Sequence, residues 1–195
     1  MRKPVPGSST LPPRPDFGAL GALAAQRSSE RRVTFMNLIG DLNLAWSNNE
    51  SLFIYVLMLL LRTDERAAAI VFATLNTTRA RLDLVQRLAK IAVADRAVRN
   101  ELSEIVEKFS ATTRLRNDFS HATFVIDEHG EITHTQHMKV EESRGNLRFG
   151  ARRPVDDARL EEIIRAIREL DTLNRRIWDL MPVLEEATGA TAKPG

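Results

Sequence analysis

DDARLEEIIRAIRELDTLNRRIWDLMPVLEEA, residues 156–187, decides the fold class. Leu160, Ile163, Ile164, Ile167, Leu170, Leu173, Ile177, Leu180 and Leu184 recur at spacings of threes and fours, which places them on one face of an α-helix. Asp156 or Asp157 stands just after Pro154, where a short acidic side chain can accept from the unpaired N–H groups of a first helical turn. Pro182 has no N–H to give and is expected to kink the end of the helix. A helix this long with a single apolar stripe must bury it against other helices.

Three helical patterns precede it. The first runs from about Arg32 to Leu61, with Gly40 and Trp46–Glu50 as points of irregularity. The second runs from about Asp64, capped by Asp64 or Thr63, to Val93, with Ile70, Leu75, Leu82, Val85, Leu88 and Ile91–Ala92 as its apolar positions. The third starts after Asp95 and carries Val98, Leu102, Ile105, Val106 and Phe109. Ser110, Thr112 and Thr113 weaken its continuation toward Phe124. The apolar run Leu52–Leu61 falls short of the ~20 residues that span a bilayer and reads as a buried helix segment.

Between residues 123 and 153 the period changes. Thr123–Ile126 are β-formers, Asp127-Glu128-His129-Gly130 is a turn, and Ile132–Val140 has strand composition. Gly145-Asn146 offers a second turn before Leu147–Phe149. The expectation is a mainly α fold: an up-and-down bundle of about four long helices, with a small antiparallel β insertion between the third and fourth.

The 195 residues, 43% hydrophobic and 28% charged, suit one globular domain, spanning 17–187. Pro4, Pro6, Pro12, Pro13 and Pro15 mark residues 1–16 as a disordered arm, and 188–195 as a flexible tail. Those prolines also occupy the place of a secretory apolar core. With no cysteine in the chain, disulfides are excluded and a reducing, cytoplasmic setting fits. No membrane association is expected. The net charge of +2 arises in residues 1–32; beyond them 22 bases face 24 acids. The body is therefore not a uniformly cationic nucleic-acid binder.

Chemistry concentrates in Arg116-Asn117-Asp118-Phe119-Ser120-His121. On a helix turning about 100° per residue, Leu115, Phe119 and Ala122 share one face, and Arg116, Asn117, Ser120, His121 and Arg114 share the other. Asn117 and His121 are an i, i+4 pair. Histidine suits proton transfer at neutral pH, a guanidinium can grip two phosphate oxygens, and an amide can orient the imidazole. Cleavage of RNA needs no further nucleophile, because the substrate's own 2′-OH can attack. A solvated polar face is the plain alternative.

Arg116-Asn117 followed by His121 resembles the Arg–polar–xxx–His motif of the HEPN family (higher eukaryotes and prokaryotes nucleotide-binding domain). The resemblance implies an up-and-down helical bundle, usually dimeric. It implies a metal-independent endoribonuclease, often a toxin or defence factor, with no cofactor. Arg116 would then bind phosphate, His121 transfer the proton and Asn117 support them, with two motifs meeting across a homodimer. Other members are inactive, so the alternative is a non-catalytic module that binds a protein partner or a nucleotide. An antitoxin would fit either case.

Other features add less. Glu50 could reach into the bundle and pair with Arg116 or His121, while Trp46 reads as core. Ser120 and Arg114 are supporting candidates. Lys139, Arg144, Arg148, Arg152 and Arg153 make the late β segment basic, a candidate RNA-contact surface or a solvated edge. His129, His134 and His137 cluster, but His134 and His137 point to opposite faces of a strand, so no metal site is expected. Arg79, Asp83, Arg87 and Lys90 share a helical stripe, read as an exposed charged face, with a nucleic-acid groove as the lesser alternative.

Overall fold

The computed structural model describes residues 30–137, 140–143, 145–150 and 152–189. The 1–16 arm, most of the 188–195 tail, Lys139 and Arg144 lie outside the described residues. Five helices are described: α1 (Glu30–Leu61), α2 (Glu65–Thr74), α3 (Thr78–Ala92), α4 (Arg96–Ser120) and α5 (Asp157–Thr188). The chain is mainly α, with a small β insertion between the last two helices, as the sequence leads one to expect.

Cross-contacts give the directions. Arg31 pairs with Asp157 at 2.7 Å, and Asn49 Nδ2 donates to the Leu170 carbonyl at 3.0 Å, so α1 and α5 run parallel. Helix α4 runs against both: Phe119 meets Phe35 near one end of α1, and Phe109 meets Phe53 further along. Phe35, Phe53, Phe109, Leu102, Ile163, Leu170 and Ile177 are among the fully buried side chains of the shared core.

One element differs from expectation. The second helix is not continuous from Asp64 to Val93; it is two helices, with Leu75 and Thr77 both extended between them. Thr77 Oγ1 accepts from the Ala80 N–H, capping α3. The apolar spacing runs through the break unchanged, but Thr74, Asn76, Thr77 and Thr78 disfavour helix interior and favour caps. The turn brings Thr78 back beside Glu50, where its hydroxyl donates to the Glu50 carboxylate at 2.6 Å. In contrast, Gly40, Ser110, Thr112 and Thr113 interrupt nothing. Thr112 and Thr113 direct their hydroxyls to the Phe109 carbonyl, and α4 runs unbroken to Ser120. Helix α5 likewise continues through Pro182.

The insertion holds β1 (Ala122–Ile126), β2 (Ile132–His137) and β5 (Arg152–Pro154) in one antiparallel sheet, ordered β1-β2-β5. Strands β3 (Val140–Ser143) and β4 (Asn146–Phe149) form a separate hairpin. The Asp127–Gly130 turn closes as expected, with Gly130 at φ 82, a conformation glycine adopts without strain. The sheet docks on the bundle through Phe124, which meets Phe35 at 6.0 Å.

Charge fastens the sheet to the helix ends. Asp118 binds Arg153 of β5 at 3.1 Å and Arg159 of α5 at 3.7 Å. Arg159 is buried, also pairs with Glu162, and lies 4.5 Å over the Phe119 ring. Replacing Asp118 by alanine should therefore destabilise the fold by about 1.5–3 kcal/mol, the usual cost of losing a bond to a partly buried charge. Urea denaturation measures it, and a change near zero would show that Glu162 alone suffices.

On the far side, Arg176 of α5 bridges Glu101 and Glu104 of α4 at 2.8 and 3.2 Å. The bond from Arg176, then that from Lys108, holds the Glu104 carboxyl below its ordinary value. A lowered folded value contributes stability above the unfolded value, and that stability is lost as pH falls through the folded one. Melting temperature should accordingly drop as pH falls below about 4.3, and Glu104→Gln should remove part of that drop.

Helix α1 is by length and composition apolar enough to cross a membrane, and 44% of its most apolar window is buried inside the fold. The core helix of a globular protein meets the same description.

Candidate functional site

Helix α4 ends at Ser120. His121 caps it at φ −114, ψ 14, with its backbone N–H directed to the carbonyls of Asn117 and Phe119. The buried aromatic Phe119 and the sheet beginning at Ala122 fix that end, so the His121 side chain stands exposed at the rim of the bundle.

A cleft of about 850 Å³ opens beside it between α3 and α4. Helix α4 contributes Glu107, Ser110, Arg114, Asn117 and His121 in alternating three- and four-residue steps, one stripe of the helix, with Thr113 beside it. Facing it are the start of α3 and the turn before it, with Asn76, Thr77, Arg79 and Asp83. Arg79 and Arg114 are exposed, and neither takes part in an ion pair among the described residues. The α3 N-terminus adds the positive end of its helix dipole.

Arg116 does not line this cleft. It lies about 100° around the helix from Asn117, on the side of α1. There Nε donates to Asn43 Oδ1 at 3.0 Å and Nη1 donates to Asn117 Oδ1 at 3.2 Å. The guanidinium covers the Trp46 ring at 4.3 Å. Trp46 is buried, as the sequence reading has it; its ring also stacks on Phe109 at 5.8 Å, and its Nε1–H donates to Thr113 Oγ1 at 2.9 Å. The structure thus joins Arg116 to Asn117 and places Asn117 and His121 on the cleft wall. It makes no side-chain bond between His121 and Arg116 among the described residues.

Glu50 is a correction. Its carboxylate pairs with Arg81 at 3.0 Å and accepts from Thr78, and so belongs to the α1–α3 contact and not to the motif. Without the break after Thr74, Arg81 could not have been foreseen as its partner. Ser120 is exposed and outside the cleft lining. Of the basic β residues, Arg153 is taken up by Asp118, and Arg152 Nε donates to Gln136 at 3.4 Å. Arg148 is placed in β4 opposite Glu141. No strand residue lines the cleft among the described residues, so the insertion braces the end of α4 without walling the site.

Sequence reasoning misses Asn76 and Glu107 as cleft residues, and reads Arg79 as part of an exposed charged face with a nucleic-acid groove only as the lesser alternative. The polar stripe from Glu107 to His121 was a readable signal for the α4 wall; the α3 wall depends on the chain reversal at Leu75–Thr77. No protein-family model, no curated protein and no solved structure matches this chain.

Proposed function

We propose that the protein is a metal-independent endoribonuclease of HEPN type, acting on RNA at the α3–α4 cleft. The observation that carries the reading is the opening of His121 and Asn117 onto a cleft that also holds the guanidinium groups of Arg79 and Arg114, neither in an ion pair among the described residues.

The chemistry follows from those groups. His121 accepts the proton of a ribose 2′-OH as its oxygen bonds to the adjacent phosphorus. The bond from phosphorus to the 5′-oxygen breaks, and that oxygen leaves with a proton from water or imidazolium. The products are a 2′,3′-cyclic phosphate and a 5′-OH. Arg114 and Arg79 neutralise the phosphoryl oxygens as charge grows on them. Arg116, through its bond to Asn117, holds the cleft wall in place. A homodimer, a protein partner such as an antitoxin, and a role as a toxin or in defence all belong to this reading.

The test is cleavage of mixed single-stranded and structured RNA in excess EDTA, followed by analysis of the product ends. Cyclic phosphate ends are expected, and a requirement for magnesium would sink the reading. A second reading, a non-catalytic module that binds a protein or a nucleotide, is favoured by one observation: Asn43, Asn117 and Trp46 already engage Arg116.

A further inference from the structure

Next to the main cleft lies a smaller cavity of about 230 Å³, lined by Gln86, Lys90, Arg99, Asn100, Leu102 and Ser103 among others. Gln86 lines both cavities. The two are therefore consecutive parts of one groove that follows the α3–α4 seam, from His121 at one end to Lys90 and Arg99 at the other.

We propose that this whole groove is the track of a single RNA strand, with Lys90 and Arg99 as a phosphate anchor remote from the reacting bond; the assignment rests on the endoribonuclease reading above. At about 1.5 Å per helical residue, the path from Arg99 to His121 along α4 is about 33 Å. That holds no more than about ten nucleotides at the ~3.4 Å spacing of stacked bases.

Charge and shape select the strand. The groove's charged lining comprises four bases, Arg79, Lys90, Arg99 and Arg114, against two acids, Asp83 and Glu107, on a body whose overall balance is negative. The bases sit at the two ends. Lys90 and Arg99 form no ion pair among the described residues; Arg99 Nη1 donates to the Val93 and Ala94 carbonyls at 2.6 and 2.7 Å, which holds its charge at the end of α3. Asp83 and Glu107 lie between the two ends, where carboxylates repel phosphate but accept from base amino groups. Asn76, Gln86, Asn100 and Asn117 add amides that pair with base edges. Unpaired bases leave their Watson–Crick edges free for such bonds, whereas an A-form duplex keeps them paired and its major groove closed to side chains. Packed helices have axes about 8–10 Å apart, so the seam admits one strand and excludes a duplex. No Phe, Tyr or Trp side chain lines the groove among the described residues, so binding draws mainly on phosphate contacts and is strongly salt-dependent.

The test is fluorescence anisotropy of end-labelled RNA on full-length His121→Ala protein, which keeps the substrate intact. Affinity should rise with strand length and level off by about ten nucleotides. Lys90→Gln, at an exposed residue without an ion pair among the described residues, should lower the slope of log affinity against log salt by about 0.7. Arg175→Gln, the same charge change on exposed α5, should leave the slope alone. Equal slopes for His121→Ala protein with and without Lys90→Gln, or equal binding of duplex and single strand, would overturn the track. If the wild type fails to cleave yet Lys90-dependent binding persists, the nuclease reading falls and the groove assignment stands.

Discussion

His121→Ala should lower RNA cleavage by about 10²–10⁴-fold, the usual worth of a general acid–base group, without lowering the melting temperature. The two parts separate because of where His121 sits. Its backbone N–H completes the end of α4 by donating to Asn117 and Phe119 carbonyls, and alanine retains that N–H. Its side chain is exposed and holds no bond among the described residues, and exposed substitutions of that kind usually stay within about 0.5 kcal/mol. Arg114→Ala should weaken both binding and turnover, because the guanidinium faces the cleft. Arg116→Ala should cost less than His121→Ala, since it acts through Asn117. The measurement is initial rate in excess EDTA alongside thermal unfolding of the same preparations. Undiminished cleavage by His121→Ala would remove the motif from the chemistry.

The contrast between Arg116 and Arg114 shows what the sequence could and could not reveal. Helical phase alone separates the apolar positions Leu115 and Phe119 from the polar ones, and the structure keeps that division: Phe119 is 3% exposed and meets Phe35. Phase does not say which neighbour each polar side chain meets. Arg116 turns toward α1 because Asn43 and Trp46 wait there, residues seventy or more positions away in sequence. The fold class was legible for the same reason that the α3 wall was not. The long stripe of α5 depends on spacing within one segment. The reversal at Leu75–Thr77 depends on caps overriding a spacing that continues straight through them. The β insertion was legible as composition, while the separate pairing of β3 with β4 depends on contacts between strands.

Phe109→Ala should destabilise the fold by about 3–5 kcal/mol, the range for deleting a buried aromatic ring, a large part of the ~5–15 kcal/mol that holds a domain together. Phe109 is 0% exposed, and its ring sits between Trp46 and Phe53 at 5.8 and 5.2 Å. These partners come from α1, so the void would open where α1 and α4 meet, and close packing leaves little room for collapse. The melting temperature should fall by roughly 6–20 °C, at about 2–4 °C per kcal/mol for a chain this size. Ile70→Ala, at a residue 67% exposed, should change stability by no more than about 0.5 kcal/mol and serves as the control. The effect should reach the cleft as well. Trp46 stacks on Phe109, bonds to Thr113 and carries Arg116, which in turn holds Asn117. Loss of the ring beneath Trp46 loosens that series from its base, so activity should decline at temperatures well below the new melting point. A Phe109→Ala protein with full stability would place the centre of the core elsewhere. One that is destabilised yet fully active below its melting point would uncouple the Trp46 stack from the cleft wall.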